Sequence, residues 1–319
     1  MTRVSIIVPA FNCQDSIGTA IASAQQQSER DIEILVIDDA SCDGTYERVL
    51  GLAALDPRIR ALRAEENGGP GAARNIGLTR ATGEWVALLD SDDSYRPERI
   101  ARLCELGDRT GADLVADNLL LCSGDKAQVD QALIPPERLS DDRWLGAVEF
   151  VEGNLGDGSR TRHSLGFLKP VMRRGFLERT ALRYDEIRFS EDFLFYLKCL
   201  LRGASWFITP APMYCYTVRE ASLTDSVSDA DLLYLSLVER RLGEEAATGD
   251  PALAAAIRRH CRSVDNSLCW SRFARAIKRR DWRSARDTML DDPRKFVHIC
   301  HQGFRTLSRA AAVGLFAPR

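Results

Sequence analysis

Apolar and polar positions alternate in blocks along the first part of the chain. Val4–Ser5–Ile6–Ile7–Val8 is a β-branched run closed by Pro9, and Ile32–Glu33–Ile34–Leu35–Val36–Ile37 is a second run closed by Asp38–Asp39. A third run, Trp85–Val86–Ala87–Leu88–Leu89, ends in Asp90–Ser91–Asp92–Asp93. Short apolar runs bounded by turn residues predict strands buried on both faces. Between them lie stretches with helical spacing: Asp15 to Gln27, with Ile17, Ile21 and Ala24 on one face, a helix from Asp43, and Gly71 to Arg80. Pro97 suits the first turn of a further helix that runs to Arg109, and shorter strands are predicted over Ile59–Leu62 and Leu114–Leu121. This alternation predicts an α/β fold, a doubly wound, mainly parallel sheet with helices on both faces. Ligands in such sheets bind at the carboxyl ends of the strands. Here those ends carry Pro9–Asn12, Asp38–Asp39 and Asp90–Asp93, so three polar clusters converge on one edge.

Beyond Ser123 the pattern changes. Residues 124–162 are polar, include Pro135–Pro136, and read as an insertion or lid. Apolar regularity returns at Leu165–Leu168, a short helix is predicted over Phe176–Thr180, and Glu191–Leu201 reads as a helix. Trp206–Thr209 and Met213–Val218 read as two strands, and everything beyond Asp229 is helix-like. The expected organisation is a catalytic domain over residues 1–225 and a helical C-terminal region over residues 226–319.

Composition changes the picture in three ways. The nine cysteines are scattered singly, without a C-x-x-C pair, which points to free thiols in a reducing compartment. No apolar run approaches the ~20 residues of a membrane-spanning helix. Met1–Thr2–Arg3–Val4 leads straight into a strand with no signal peptide, so the expected location is cytoplasmic. The net charge of −3 is unevenly placed: residues 255–319 carry 15 Lys or Arg against 5 Asp or Glu, a net +10, leaving −13 for residues 1–254. A basic arm of this kind solvates helices or sits on an anionic surface.

Asp90–Ser91–Asp92–Asp93 is the most informative stretch. Three carboxylates this close repel one another unless a cation is present. Mg²⁺ or Mn²⁺ takes one or two carboxylates together with substrate phosphates. The residues alone leave a second reading open, an acidic helix N-terminus ahead of Pro97. Asp38–Asp39 is placed to accept from a base N–H or a ribose hydroxyl, while Ser41 or Asp43 suits a helix cap. Asn67–Gly68–Gly69–Pro70–Gly71–Ala72–Ala73–Arg74–Asn75–Ile76–Gly77 opens a helix whose amides suit phosphate, with Arg74 one turn in. It lacks the G-K-[ST] of a P-loop. Glu191–Asp192 reads either as an acidic first helical turn or as a catalytic pair. His163, Lys169 and Arg173–Arg174 read as solvated surface ahead of a role at a diphosphate or acceptor.

The succession Val4 to Asn12, Ile37 to Ser41, Gly71 to Asn75 and Leu89 to Asp93 resembles family 2 glycosyltransferases, in order and spacing, over residues 3–120. That family has the GT-A fold and includes many bacterial exopolysaccharide and lipopolysaccharide enzymes. Ser190–Glu191–Asp192–Phe193 is similar to the family's downstream acidic motif, and Tyr216, Arg219 and Ser222 loosely match a segment that closes on the diphosphate. The resemblance implies residues 1–120 for nucleotide-sugar binding and 121–225 for the acceptor and base. It implies a nucleotide pocket of Pro9, Ala10, Phe11 and Asn12, Asp39 facing the base, Arg74 near base, ribose or diphosphate, and Asp92 at ribose or metal. Asp93, with Asp90, would hold Mn²⁺ or Mg²⁺, and Asp192 would be the catalytic base.

The implied reaction is inverting transfer from a nucleoside-diphosphate sugar, a UDP-sugar by expectation, to a hydroxyl of a glycan or lipid-linked acceptor. Such a reaction needs a Lewis acid on the leaving diphosphate and a carboxylate base on the acceptor. A sugar nucleotidyltransferase would want a basic Gly-rich loop after the first strand, where this chain has Pro9–Ala10–Phe11–Asn12. An inactive nucleotide-binding module would not need the acidic clusters. The basic arm suggests an anionic membrane surface as a further partner, whereas nucleic acid does not suit sugar chemistry.

Overall fold

The structure, a computed structural model, describes residues 2–123, 131–155, 164–218 and 227–290. The chain divides into two compact units, Met1–Asp225 and Ser226–Arg319. In the first, β1 (Val4–Ala10), α1 (Ile17–Gln25), β2 (Ile32–Asp38), α2 (Thr45–Ala53), β3 (Ile59–Arg63), α3 (Gly69–Arg80) and β4 (Trp85–Leu88) follow the predicted alternation. Then come β5 (Ser94–Tyr95), α4 (Arg99–Thr110), β6 (Leu114–Ser123), β7 (Gln131–Ala132), β8 (Arg143–Trp144) and α5 (Ala147–Glu152). A 3₁₀ turn at Leu165–Phe167 leads to β9 (Val171–Arg173), α6 (Arg174–Thr180), α7 (Glu191–Leu201) and β10 (Trp206–Val218).

The described strands form one sheet in the order β3-β2-β1-β4-β9-β6-β10-β5, with β7 beside β6 and β8 beside β10. β1 to β4 run parallel to one another, as do β6 and β10, and β9 is antiparallel to both of its neighbours. Every residue of β1, β2 and β4 is buried, which is why these strands read as unbroken apolar runs. The crossovers from β1 to β2 and from β2 to β3 move one way across the sheet, and the return from β3 to β4 moves the other way. Right-handed crossovers therefore put α1 and α2 on one face and α3 on the other. The direction reverses between β1 and β4, so the fold's switch point, where crevices open in such sheets, lies there.

Pro9 marks this split. The β1–β4 ladder stops at Ile7–Leu88, with Leu89 N–H donating to the Ile7 carbonyl (3.0 Å). Backbone groups alternate sides along a strand, so the N–H that Pro9 lacks would face the β4 side beyond the last rung. No ladder bond is lost there. β10 differs from the two strands predicted: it is one strand with register shifts around Pro212. Pro210 and Pro212 donate nothing, which accounts for the bulge, and the Met213 N–H there turns to buried Asp117 (2.9 Å). β5, β7, β8 and β9, two or three residues each, were not foreseen because so short a strand carries no period.

The second unit holds α8 (Asp229–Ala247), α9 (Pro251–Lys278) and α10 (Trp282–Leu290). Ser228 and Asp231 close a capping box on α8, and Asp250 caps α9 ahead of Pro251. Buried Glu239 meets His260 at 2.8 Å between α8 and α9. No described helix is long and apolar enough to cross a membrane.

Candidate functional site

The ends of β1 and β2 interlock. Asn12 and Ala40 both take left-handed backbone (φ 46° and 58°), which tightens the turn leaving each strand. Asn12 N–H donates to Ser41 Oγ (3.0 Å) and its Oδ1 accepts from Cys42 N–H (2.9 Å). Pro9 and Ala10 are buried strand residues, whereas Phe11 is 47% exposed and Asn12 is open to solvent. Asp39 is buried, and its carboxylate accepts from Gly68 N–H (3.0 Å), Gly69 N–H (2.8 Å) and Asn67 Nδ2 (2.9 Å). Asp38 accepts from Ser41 N–H and pairs with Arg63 (3.2 Å).

The glycine run departs from its expected use. The Gly68 and Gly69 amides are turned to Asp39. Gly71 lies so close to the Asp185 carbonyl that a Cβ there would sit 2.7 Å from it, and at Gly77 a Cβ would meet Ile7 at 2.4 Å. These glycines pack α3 against the Tyr184–Asp185 segment and against β1.

At the end of β4 the charges are dense. Buried Arg74 donates to Asp90 Oδ1 (2.8 Å) and Glu191 Oε1 (2.7 Å), lies 3.2 Å from Asp192 Oδ1, and covers the Tyr184 ring at 5.4 Å. Lys169, 4% exposed, reaches Asp192 Oδ2 (2.5 Å) and Asp90 Oδ2 (2.9 Å). The expectation of a solvated Lys169 is thus overturned. A single lysine between Leu165–Leu168 and Pro170–Met172, both apolar stretches, was the signal. The Lys169 carbonyl accepts from Arg99, which is itself buried against Asp117 (2.8 Å). Burial disfavours the charge on Arg74 and Lys169, but the carboxylates around each raise both groups well above their ordinary values. Burial also works against Asp90, yet Lys169 and Arg74 hold its carboxyl well below the usual range. Burial and the neighbouring Asp192 push Glu191 up.

Asp93 is in a different position. It is 3% exposed and accepts only from neutral donors among the described residues, Tyr214 Oη (2.8 Å) and Thr217 N–H (2.8 Å). Burial, then Asp90 and Asp92, push its carboxyl up to about 8. A buried carboxylate with no cation beside it among the described residues, flanked by two more, fits a divalent ion. Among the described residues no three His, Cys, Asp or Glu side chains converge to hold one unaided. One or two carboxylates completed by diphosphate oxygens is the set that Mg²⁺ and Mn²⁺ ordinarily take.

The remaining candidates separate. Arg173 lies over Trp85 (4.2 Å) and bonds to the Ala112 and Gly107 carbonyls, while Arg174 bonds to the Gly83 carbonyl. Both therefore sit at the start of β4, away from the acidic edge. Tyr216 is half-buried with its ring 6.0 Å from Phe167. His163, Arg219 and Ser222 lie outside the described residues. Tyr184 and Tyr214, which line the charged network, were not singled out from sequence.

A family model for glycosyl transferase family 2 matches residues 5–176, covering the switch point, Arg74 and the acidic end of β4. The chain belongs to glycosyltransferase family 2. It is 33% identical over 97% of its length, and 87% of the relative's, to the succinoglycan biosynthesis protein ExoO of Rhizobium meliloti. To ExoU of the same organism it is 35% identical over 82% of its length and 75% of the relative's. Among solved structures, S. aureus TarS 1–349 in complex with UDP superposes with TM-score 0.61 at 23% identity, over 81% of this chain and 71% of that one. The Pyrobaculum calidifontis mannosyltransferase PcManGT, in complex with GDP-Man and Mn²⁺, gives 0.55 at 16%, over 99% and 81%. These likenesses show the GT-A fold, as the family resemblance implied.

Proposed function

We propose that this family 2 glycosyltransferase moves a sugar, with inversion, from a nucleoside-diphosphate donor to a hydroxyl of a glycan or lipid-linked acceptor in exopolysaccharide synthesis. The observation that carries this reading is the buried network at the switch point, where Asp90, Arg74, Lys169, Glu191 and Asp192 join the end of β4 to the first turn of α7. The family membership and the succinoglycan relatives support the polysaccharide context.

In this reading Phe11, Asn12 and Asp39 form the nucleotide side, and Pro9 and Ala10 shape it from within the sheet. Asp92 and Asp93 face the ribose and the diphosphate. Mn²⁺ or Mg²⁺, when bound there, neutralises charge on the leaving diphosphate, and Asp93 is the residue suited to hold it. Asp192 is the base. Its Oδ2 is held by Lys169, while Oδ1 accepts no hydrogen bond among the described residues. Oδ1 lies beside Arg74 (3.2 Å) without a hydrogen bond from it, and in this reading it is the oxygen that takes the proton of the acceptor hydroxyl. The UDP- and GDP-Man-bound neighbours favour a nucleoside-diphosphate sugar without choosing the base. The experiment is a donor panel with Mn²⁺ and products identified by mass. Nucleoside diphosphate with glycosylated acceptor supports the proposal; pyrophosphate, or binding without turnover, overturns it.

The second unit suits an anionic, cytoplasmic membrane surface. Trp282 and Leu290 are 66% and 71% exposed, and Lys278, Arg279, Arg280, Arg283 and Arg286 around them are exposed too. Trp270 and Phe273 are half-buried, with their rings 6.0 Å apart. The exposed apolar contact therefore comes from the α9–α10 corner. Each basic residue near such a surface contributes about 1 kcal/mol, lost to screening as salt rises. Sedimentation with anionic liposomes at low salt, absent with neutral ones, is the expected result; a protein that stays in the supernatant with both contradicts it.

A further inference from the structure

We infer that Asp90 is a positioning residue for Asp192 and not a ligand of the metal; this rests on the reading of Asp192 as base. Asp90 and Asp93 belong to one acidic run, yet their surroundings are opposite. Each Asp90 oxygen is taken by a different cation, Oδ1 by Arg74 (2.8 Å) and Oδ2 by Lys169 (2.9 Å). Both cations continue to the first turn of α7, Arg74 to Glu191 (2.7 Å) and Asp192 (3.2 Å), Lys169 to Asp192 (2.5 Å). The result is a two-armed ionic bracket from the end of β4 to the base.

The bracket has a reason to exist. Ser190, just before α7, has left-handed backbone (φ 60°) and gives no side-chain cap, so the first turn lacks the usual fastening of its amides. Glu191 and Asp192 are held instead from across the crevice. The arms are anchored behind: Arg74 on Tyr184, Lys169 through its carbonyl on Arg99, and the Asp90 N–H on Tyr214 Oη (3.1 Å). A metal on Asp90 would compete with a buried cation at either oxygen. Breaking one side of a buried ionic set leaves a charge without compensation, a strongly unfavourable change. Asp93 has no cationic partner among the described residues and asks for a metal without disturbing the bracket.

The test compares D90N and D93N by calorimetry of Mn²⁺-dependent UDP binding (GDP where the wild type prefers it) and by steady-state kinetics with the donor. The charge-balanced double variant D90N/K169M guards against misfolding caused by one unpaired buried charge. D93N is expected to lose Mn²⁺-dependent nucleotide affinity by about tenfold or more, at least what losing an outer-shell partner of a metal ligand costs. D90N and the double variant are expected to keep that affinity within about threefold while kcat falls by about 10²-fold and donor KM barely moves, as for a lost transition-state contribution. The double variant should be no slower than the slower of D90N and K169M made singly, because both residues act through one base. Loss of Mn²⁺-dependent affinity in D90N equal to that in D93N makes Asp90 a ligand and overturns the inference. Unchanged kcat in D90N and in the double variant also overturns it. Wild-type turnover in D192N is a separate failure, that of the base assignment, while the binding comparison still decides whether Asp90 is a ligand.

Discussion

At the end of β2, buried Asp39 accepts hydrogen bonds from Asn67 and from two glycine amides; at the end of β4, Asp90 faces two buried cations, and Asp93 faces none among the described residues. The two strand ends are alike as sequence, acidic residues after an apolar run. The difference between them lies in what the rest of the fold brings up. Neutral amides stabilise a carboxylate and shape a loop around it. Paired cations use a carboxylate as an anchor. A buried carboxylate left with neutral donors and like charges retains a demand for positive charge, and that demand is what a metal-diphosphate site supplies. Sign alone therefore does not assign a role.

The largest effect is expected where the demand is unmet. Asp93→Asn should lower turnover by about 10³-fold, the scale of several kcal/mol of charge stabilisation at a metal site. Thermal denaturation of the metal-free variant should lie at or above wild type, since the buried charge without a cation has gone. A variant that melts well below wild type would make Asp93 a structural residue.

Next comes Asp192→Asn, which keeps size and removes basicity. Turnover should fall by about 10²-fold or more with nucleotide affinity unchanged, the usual scale for a positioned base. A near wild-type rate would reduce Asp192 to the first turn of a helix.

Asp39→Ala probes the β2 end. The Gly68 and Gly69 amides would lose their acceptor, so nucleotide affinity should weaken by about tenfold, one to two lost hydrogen bonds, with a melting temperature a few degrees lower. Equal UDP affinity in calorimetry would remove Asp39 and its loop from the nucleotide pocket.

The last effect, on stability and not on turnover or nucleotide affinity, is one of pH on metal-free protein. An unfolded Asp titrates near ~3.9, and burial with neighbouring carboxylates puts folded Asp93 at about 8. Between these values the folded state holds the proton more tightly, so stability attributable to Asp93 falls as pH rises from about 4 to about 8. Melting temperatures across that window should fall more in wild type than in D93N. Parallel curves would show that Asp93 does not titrate there.

The parallel half of the sheet was legible because β1, β2 and β4 are buried on both faces and long enough to show it. The three acidic or turn-rich strand ends followed from that reading, and the Gly71–Asn75 motif fixed Arg74 as a residue to watch. The sequence could not show Arg74's partner, because Glu191 lies 117 positions away and only the fold brings them together. The same holds for Lys169, read as surface from local context although it sits among carboxylates from β4 and α7. The glycines misled for a related reason: their helix amides were expected to suit a phosphate, but the groups that approach them are Asp185, Ile7 and Asp39, all from this chain.

The most direct test is the anomeric configuration of the product, read by NMR after transfer from a donor of known configuration. The account predicts inversion, with nucleoside diphosphate released in equal amount and the same inverted product formed far more slowly by D192N. Retained configuration, or pyrophosphate in place of nucleoside diphosphate, would contradict it.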